Sequence, residues 1–453
     1  MVKRFTVTVL ILVLLGFTGV KVGALWSDKP LQPSASTAPA AGIEQDLVES
    51  ENRWIGSLDQ QQRSLLQRLD SRLERNQDDF EANLLKSLLY FQTGRLNSAV
   101  EELQQLTEKA PKFQLAHLIL GDLLLARFDQ VGSIGSSSLL KQIGRGKTDR
   151  IEQLRREARA RLNGYLSLVK GVEVPLALLT LSDATKYALV VDKSRNRLYI
   201  YRNIGPGLPP ELVDDFYIVL GKKTGDKYRE GDLRTPNGVY FVTSYLPDEK
   251  LPPLYGSGAF PVNYPNELDR RLRKTGNGIW LHGTDKSLYS RPPLDSEGCV
   301  VLTNEEFSRI GQYVEVGRTP VIISEEVAWC SSREWLDLNI EVQATLENWR
   351  QRWEKADVDS YLDMYADAFW SKGHDVNSWQ RYKKQVFAGK TYQKIDLTDI
   401  SLLGYPAIAD QQPMVVANFR QNYRSNNYNG EMRKRLYMIK DQGRWKVLYE
   451  GRQ

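Results

Sequence analysis

The chain has 453 residues, of which 41% are hydrophobic and 26% are charged. This length predicts about three domains, and the hydrophobic share is enough to build their cores. The formal net charge of +5 is too mild to indicate a nucleic-acid-binding surface. The sequence has no glycine-rich phosphate-binding loop and no cysteine–histidine cluster at metal-ligand spacing, so we expect neither a metal nor an organic cofactor.

Residues 1–24 are predicted to be a secretory signal peptide or an N-terminal anchor. Lys3 and Arg4 precede an uncharged apolar run over residues 5–20, and small residues follow that run. This order is typical of a secretory signal. The run is shorter than the ~20 residues of a membrane span, which favours cleavage over anchoring in the inner membrane. Residues 25–42, rich in proline, serine and alanine, are predicted to be a flexible linker.

Residues 43–170 are predicted to be an all-α repeat region. Ser87 and Gly121 lie 34 residues apart (121 − 87) and occupy equivalent positions in two helical segments. Large, small, apolar and terminating residues follow Ser87 in the order of a tetratricopeptide repeat: Tyr90, Gly94, Ala99, Leu103, Leu106 and Pro111. The region therefore resembles that repeat. Such stacks usually bind proteins, so we expect either a protein partner on the repeats or a structural spacer.

A glycine-rich stretch brings one of the three histidines close to one of the two cysteines. Cys299 follows His282 by seventeen residues (299 − 282), and Gly298 directly precedes the cysteine. The apolar runs 279–281 and 300–302 predict two strands, one ending at the histidine and one carrying the thiol. A thiol becomes a useful nucleophile when a base takes its proton and backbone amides hold the oxyanion. On spacing alone, the alternative is a core cysteine and a structural histidine that never meet.

Several blocks of sequence occur here in the order of a known family. They cover residues 188–201, 231–240, 260–269, 278–284 and 296–299, and they include Thr235-Pro236-Asn237-Gly238, His282-Gly283-Thr284 and Ser296-Glu297-Gly298-Cys299. Residues 187–324 therefore resemble the L,D-transpeptidase (YkuD) family. The resemblance implies a mainly-β domain that acts on the stem peptides of peptidoglycan through an acyl-cysteine intermediate.

The resemblance also implies a role for each residue of the motif. Cys299 would be the nucleophile and His282 the group that accepts and returns its proton. The carbonyl of Gly283 would orient the imidazole, the N–H groups of Gly298 and Cys299 would hold the oxyanion, and Ser296 would brace the loop. Cys299 would attack the third residue of a tetrapeptide stem and expel the terminal D-Ala, and an amine of a second stem would take the acyl group.

Two departures from the family pattern leave the acyl acceptor open. Glu297 stands where many members have histidine, and Val301 stands where many have arginine. Tyr264 and Arg291 are candidates for substrate binding, and the other arginines that would compensate for Val301 are Arg270, Arg271 and Arg273. The pattern is also similar to a subgroup with hydrolytic members. The alternatives are an L,D-carboxypeptidase, an amidase that detaches a wall-linked lipoprotein, and a scaffold that recruits other cell-wall enzymes.

Cys330 is the second thiol, and we expect it to be unpaired in the active form. An oxidising compartment would permit a disulfide, but a bond to Cys299 would block the proposed nucleophile.

Residues 337–453 are predicted to be a separate α+β domain. Apolar and aromatic residues from Ile340 to Phe369 predict long amphipathic helices, and strands are predicted at 395–403, 414–423, 433–440 and 445–450, with turns at 429–430 and 442–443. This order resembles the SnoaL-like (nuclear-transport-factor-like) cone. We expect either a ligand cavity or a filled core around four aromatic residues, Tyr361, Trp370, Trp379 and Tyr382.

The sequence thus predicts an exported, multidomain protein of the periplasm or cell envelope. A helical repeat region, a mainly-β L,D-transpeptidase domain and a cone-shaped α+β domain follow one another. The expected partners are peptidoglycan stem peptides and a protein on the repeats, with no nucleic acid, and membrane contact only through residues 5–20.

Overall fold

The computed structural model describes residues 51–125, 145–166, 173–406 and 412–453. The segments predicted as signal and linker lie outside these ranges. No helix in the described part of the chain is both long enough and apolar enough to cross a membrane. The chain divides into two units: a helical unit, Met1–Lys170 with Ser287–Pro292, and a β-rich unit, Gly171–Lys286 with Pro293–Gln453.

The helical unit contains an α-hairpin repeat with further helices on either side of it. Its helices are α1 (Gln60–Arg75), α2 (Phe80–Gln92), α3 (Leu96–Lys109), α4 (Gln114–Leu125) and α5 (Arg145–Leu166). Asp79 caps the start of α2 by accepting from the Ala82 amide, and Gly94, at φ +85°, makes the tight turn before α3. Ala99 is fully buried, as expected of the small residue that lets two helices approach closely.

Charged residues are buried in the core of the helical unit. Arg72 pairs with Asp79 at 2.9 Å and with Glu81 at 3.4 Å, and Arg161 of α5 pairs with Glu81 and Glu157, each at 3.0 Å. Each of these five side chains is at most 3% exposed. Buried charges are tolerated only when they are paired, and removal of one partner is strongly destabilising. The network therefore fixes α5 against the start of α2.

The part of the β-rich unit before the C-terminal domain is built around two larger sheets. In chain order, the strands from Val174 to Cys330 are β1 (Val174–Pro175), β2 (Leu178–Thr180), β3 (Tyr187–Asp192), β4 (Arg197–Arg202), β5 (Glu211–Tyr217), β6 (Leu220–Gly221), β7 (Gly238–Phe241), β8 (Leu246–Pro247), β9 (Gly258–Pro261), β10 (Trp280–His282), β11 (Leu294–Ser296), β12 (Val300–Val301), β13 (Pro320–Ser324) and β14 (Trp329–Cys330). One sheet has the order β5-β4-β3-β13-β7 and the other β12-β10-β9-β8.

Short helices complete this central domain. They are α6 (Glu267–Arg271), α7 (Asn304–Ile310) and the 3-10 turns Asp248–Lys250, Pro253–Tyr255 and Gly311–Tyr313. Thr303 caps α7 and forms a capping box with Glu306. Leu189, Leu281 and Val300 are fully buried members of the domain's hydrophobic core, so the central strands of both sheets are fixed by packing.

The C-terminal domain is a curved sheet with helices packed on it. Its elements are α8 (Ser332–Glu354), α9 (Val358–Asp363), β15 (Tyr365–Ser371), β16 (His374–Asp375), α10 (Val376–Ala388), β17 (Gln393–Gly404), β18 (Met414–Ser425), β19 (Asn429–Asp441) and β20 (Arg444–Arg452). The sheet order is β16-β15-β20-β19-β18-β17-β2. Strand β2 precedes this central domain in the chain, and Trp335 donates to the Leu178 carbonyl at 2.7 Å. The C-terminal domain therefore includes a strand from well outside 337–453.

Three local predictions for this domain were wrong. Tyr365 and Phe369 lie in strand β15, because a short aromatic run does not distinguish helix from strand. Ile340 is 57% exposed, since the buried stripe of α8 passes one residue before it, at Asn339. The turn predicted at 429–430 belongs to β19. Of the aromatic residues suggested for a cavity, Tyr361 is fully buried in the core and Tyr382 is 45% exposed.

Candidate active site

Two neighbouring parallel strands carry the histidine and the cysteine. Strand β10 ends at His282, and β12 begins directly after Cys299. The strands pair in register, with His282 opposite Val301, and the Leu302 amide donates to the His282 carbonyl at 2.9 Å. Since Leu281 and Val300 anchor both strands in the core, the sheet itself sets the separation of base and thiol.

The imidazole of His282 is oriented by a backbone carbonyl. It is 3% exposed, and its Nδ1 lies 2.6 Å from the Gly283 carbonyl oxygen. A carbonyl oxygen can only accept a hydrogen bond, so Nδ1 carries a proton. In the neutral imidazole, Nε2 is then the nitrogen with the free lone pair.

Gly283 is required by close packing. A Cβ at this position would lie 2.4 Å from Asn304 Oδ1 and 2.9 Å from the Ser257 amide nitrogen. The same Oδ1 accepts a hydrogen bond from the Ser257 amide at 2.9 Å. The start of α7 thus joins the segment after the catalytic histidine to the turn before β9.

Ser296 closes the turn that carries Cys299. Its hydroxyl donates to the Cys299 carbonyl at 2.7 Å and accepts from the Gly298 amide at 3.1 Å. Gly298 has φ +134°, and a Cβ there would lie 2.8 Å from the Arg234 carbonyl oxygen. The Gly298 amide was expected to face an oxyanion; here it donates to the Ser296 hydroxyl instead.

Cys299 and Cys330 have different environments. Both lie in the described chain, and neither forms a disulfide. Cys299 is partly exposed, and its Sγ donates to the Gly278 carbonyl at 3.4 Å. Burial, followed by the charges of Glu334 and Glu173, raises the pKa of Cys330 to about 11. Of these two thiols, Cys299 is therefore the better candidate for a reactive group.

Tyr255 is a site residue that the sequence analysis missed. Its ring centroid lies 4.9 Å from that of His282, edge-on, and 4.9 Å from that of Trp280. Burial raises the pKa of the Tyr255 hydroxyl, and the negative charges of Cys299 and Glu297 raise it further. The hydroxyl is thus a neutral donor beside the thiol. The available signal was the Pro-rich turn before it, which indicates a turn but no function.

A buried ionic cluster supports the loop that faces the thiol. Lys274 pairs with Asp226 at 2.7 Å and with Asp269 at 3.0 Å, and Tyr240 donates to Asp269 at 3.0 Å. Burial raises the pKa of the Asp269 carboxyl, although Lys274 and its hydrogen bonds oppose that shift. The cluster fixes the chain at Lys274, four residues before Gly278 (278 − 274).

The other residues discussed for substrate binding have different surroundings. Tyr264 is 5% exposed, and its hydroxyl donates to the Thr275 carbonyl at 3.2 Å, a contact that supports the same loop. Arg291 lies in Ser287–Pro292, which groups with the helical unit. The Arg271 guanidinium lies over the Trp370 ring at 5.5 Å. Val301 is 1% exposed and presents no charge to the site.

No group of three His, Cys, Asp or Glu side chains in the described ranges has a geometry that could hold a metal ion. A strand-borne histidine, a glycine turn and a partly exposed thiol are the groups that a cysteine-dependent acyl-transfer domain needs.

Family models agree with this class. Residues 186–323 match the L,D-transpeptidase catalytic domain (YkuD), and residues 341–451 match the Cds6 C-terminal NTF2-like domain. The protein therefore combines an N-terminal helical region, a YkuD catalytic domain and an NTF2-like domain, as the resemblances predicted.

Two solved structures are similar to more than half of the chain. Bd1075 of Bdellovibrio bacteriovorus matches with a TM-score of 0.54 and 29% identity, over 62% of this chain and 98% of that one. A point mutant of Pgp2, the helical cell shape determining protein of Campylobacter jejuni, matches with a TM-score of 0.53 and 26% identity, over 64% of this chain and 97% of that one. No curated protein matches the chain.

Proposed function

We propose that the protein is a peptidoglycan L,D-transpeptidase of the cell envelope that works through an acyl-Cys299 intermediate. The observation that carries the proposal is the contact between His282 Nδ1 and the Gly283 carbonyl, on the strand paired with the one that follows Cys299. Because this contact places the ring proton on Nδ1, Nε2 is the nitrogen that can accept the proton of the thiol.

The reaction follows from these positions. Nε2 of His282 takes the thiol proton, and the Cys299 sulfur attacks the carbonyl carbon of the third stem residue. The tetrahedral oxyanion collapses, the C–N bond to the terminal D-Ala breaks, and His282 returns the proton to the leaving amine. A side-chain amine of a second stem then attacks the acyl-cysteine, gives its proton to His282 and releases the thiolate.

The Gly298 amide affects how the oxyanion is stabilised. It donates to Ser296 Oγ in the present state. Loss of one donor from an oxyanion hole costs ~10²–10³ in rate. We propose that Ser296 releases this amide when substrate binds, so that it joins the Cys299 amide at the oxyanion.

Hydrolysis of the same intermediate is the second candidate. Val301, the residue two positions after the proposed nucleophile, is buried and apolar, where many family members have an arginine that would anchor a carboxylate or a carbonyl. With water as the acceptor, the enzyme would be an L,D-carboxypeptidase, or an amidase that detaches a wall-linked lipoprotein. A role in cell shape is proposed by likeness to Pgp2.

Product analysis tests the proposal. The protein is incubated with disaccharide-tetrapeptides and the products are identified by mass spectrometry. We expect crosslinked dimers and free D-Ala from the wild type, none from Cys299→Ala, and normal turnover from Cys330→Ala, the matched control at the buried thiol. Tripeptides without dimers would instead establish the carboxypeptidase. Turnover by Cys299→Ala would reject both.

A further inference from the structure

The chain between the catalytic histidine and cysteine passes through the helical unit. Lys286 and Pro293 belong to the β-rich unit, whereas Ser287–Pro292 groups with the helices. The return point is fixed, since the Pro293 carbonyl accepts from the Leu220 amide at 2.9 Å and from Asn196 Nδ2 at 3.0 Å. The segment between these points is therefore held by the helical unit.

Tyr289 is the hydrophobic anchor of this segment. It is 8% exposed and belongs to the hydrophobic core of the helical unit. Its ring centroid lies 4.2 Å from that of Phe113, which precedes α4, and 5.8 Å from that of Phe80, the first residue of α2. Aromatic contacts of this kind add to the stabilisation from buried area.

Ser290 adds a polar anchor. Its hydroxyl donates to Glu157 Oε1 at 2.6 Å. Glu157 is 1% exposed and is paired with Arg161, which also binds Glu81. A hydrogen bond to a carboxylate is stronger than one between neutral groups, and this carboxylate is immobilised by the buried ion network of the helices.

We propose that the helical unit is a positioning element for the active-site loop, acting through Tyr289 and Ser290. The sheet already fixes His282 and Cys299, so the helical unit does not set the reacting pair. It sets the path of the chain that begins after Thr284. The backbone of Thr284 itself packs against the turn at Gly256, beside Tyr255. Release of the segment would therefore weaken substrate binding while the thiol keeps its reactivity.

The test uses the full chain with Tyr289→Ala, Tyr289→Phe and Ser290→Ala. Hydrogen exchange of residues 284–293 should be about tenfold faster in Tyr289→Ala than in wild type, as in a segment that opens locally. It should be near wild type in Tyr289→Phe, which keeps the ring, and intermediate in Ser290→Ala, which leaves the apolar core intact. Equal exchange in wild type, Tyr289→Ala and Ser290→Ala would overturn the proposal.

Steady-state kinetics distinguish a positioning role of the helical unit from partial unfolding of the variant. The kinetic readout rests on the proposed function, whereas the exchange readout does not. For Tyr289→Ala we expect KM for the disaccharide-tetrapeptide to rise about fivefold, with kcat and the rate of Cys299 alkylation by iodoacetamide within about twofold of wild type. A fall in kcat at constant KM would mean a smaller folded fraction and would contradict positioning. If the wild type itself gives no product, the proposed function is wrong. The hydrogen-exchange result then decides alone whether the helical unit holds Ser287–Pro292.

Discussion

The catalytic site and the charged core of the C-terminal domain place reactive groups in opposite ways. In the catalytic site, backbone carbonyls orient both His282 and the partly exposed Cys299. In the C-terminal domain, Lys383, Lys434 and Glu450 are all buried, and they come from α10, β19 and β20. The groups of the first arrangement lie within residues 278–299, whereas those of the second come from more distant parts of the sequence.

The charged core is an aromatic enclosure in which two lysines share one carboxylate. The Lys383 and Lys434 ammonium groups each lie 4.4 Å from the Trp353 ring, and Lys434 pairs with Glu450. Burial lowers the pKa of Lys383 to about 8. Burial alone would raise the pKa of Glu450, but the charges of Lys434 and Lys383 outweigh it and lower that pKa to about 2. A site of this kind has no sequence motif.

Removal of the Glu450 carboxylate should have the largest effect on stability. Glu450→Gln takes the counter-charge away from two buried lysines, a change expected to cost about 3–5 kcal/mol. The matched control is Glu431→Gln, whose exposed pair with Arg420 at 2.9 Å should contribute less than ~1 kcal/mol. Urea denaturation of both variants measures the difference, and equal effects would contradict the account.

The same carboxylate predicts a dependence on pH. Its pKa is lower in the folded state than in the unfolded chain, where it is ~4.3. The folded state therefore gains stability from ionised Glu450 above ~4.3 and loses it as the pH falls towards ~2. The difference in free energy of unfolding between wild type and Glu450→Gln should become smaller over that pH range. A constant difference would exclude the ion pair as its cause.

Among substitutions outside His282 and Cys299, the one with the largest effect on catalysis should be Gly283→Ala, which adds a single methyl group. Gly283→Ala brings a Cβ within 2.4 Å of Asn304 Oδ1, which displaces the carbonyl that orients His282. We expect kcat/KM to fall about 100-fold, since small displacements of a catalytic group have effects of that size. Gly121→Ala, with open space at its Cβ in α4, is the control and should keep full activity. A fully active Gly283→Ala enzyme would remove the carbonyl from the mechanism.

Lys383→Met tests the other half of the charged core. The folded-state pKa of Lys383 is below its unfolded value, so the wild type should gain stability as the pH rises from about 8 towards ~10.4, by roughly 3 kcal/mol. Lys383→Met should lack this rise and be at least as stable as wild type at pH 7. Its exposed neighbour provides the control, Lys384→Met, which should follow the wild-type profile.

The smallest predicted effect concerns the aromatic neighbour of the base. Tyr255→Phe keeps the ring that contacts His282 and loses only a hydroxyl, so kcat/KM should fall by less than about fivefold. Tyr255→Ala removes the ring and should cost more. Tyr245→Phe, at an exposed tyrosine, should have no measurable effect. If Tyr255→Phe were as inactive as Tyr255→Ala, the hydroxyl would take part in proton transfer.

The sequence predicted those helices, strands and turns that depend on residues close together in the chain. The helix pair around Gly94, the strands on either side of the catalytic loop and the four C-terminal strands follow from periodicity and turns. Pairing of Leu178–Thr180 with β17 joins residues more than 200 apart in sequence, so no local pattern indicates it. For the same reason the Lys274 cluster and the burial of Tyr289 were not predicted.

The central claim is tested most directly by rapid-quench mass spectrometry of the enzyme during turnover of a disaccharide-tetrapeptide. We expect a covalent adduct with the mass of the disaccharide-tripeptide acyl group, mapped to Cys299, formed with release of D-Ala and also present in Cys330→Ala. Release of D-Ala with no adduct on Cys299 at any quench time, or with the same rate in Cys299→Ala, would contradict it.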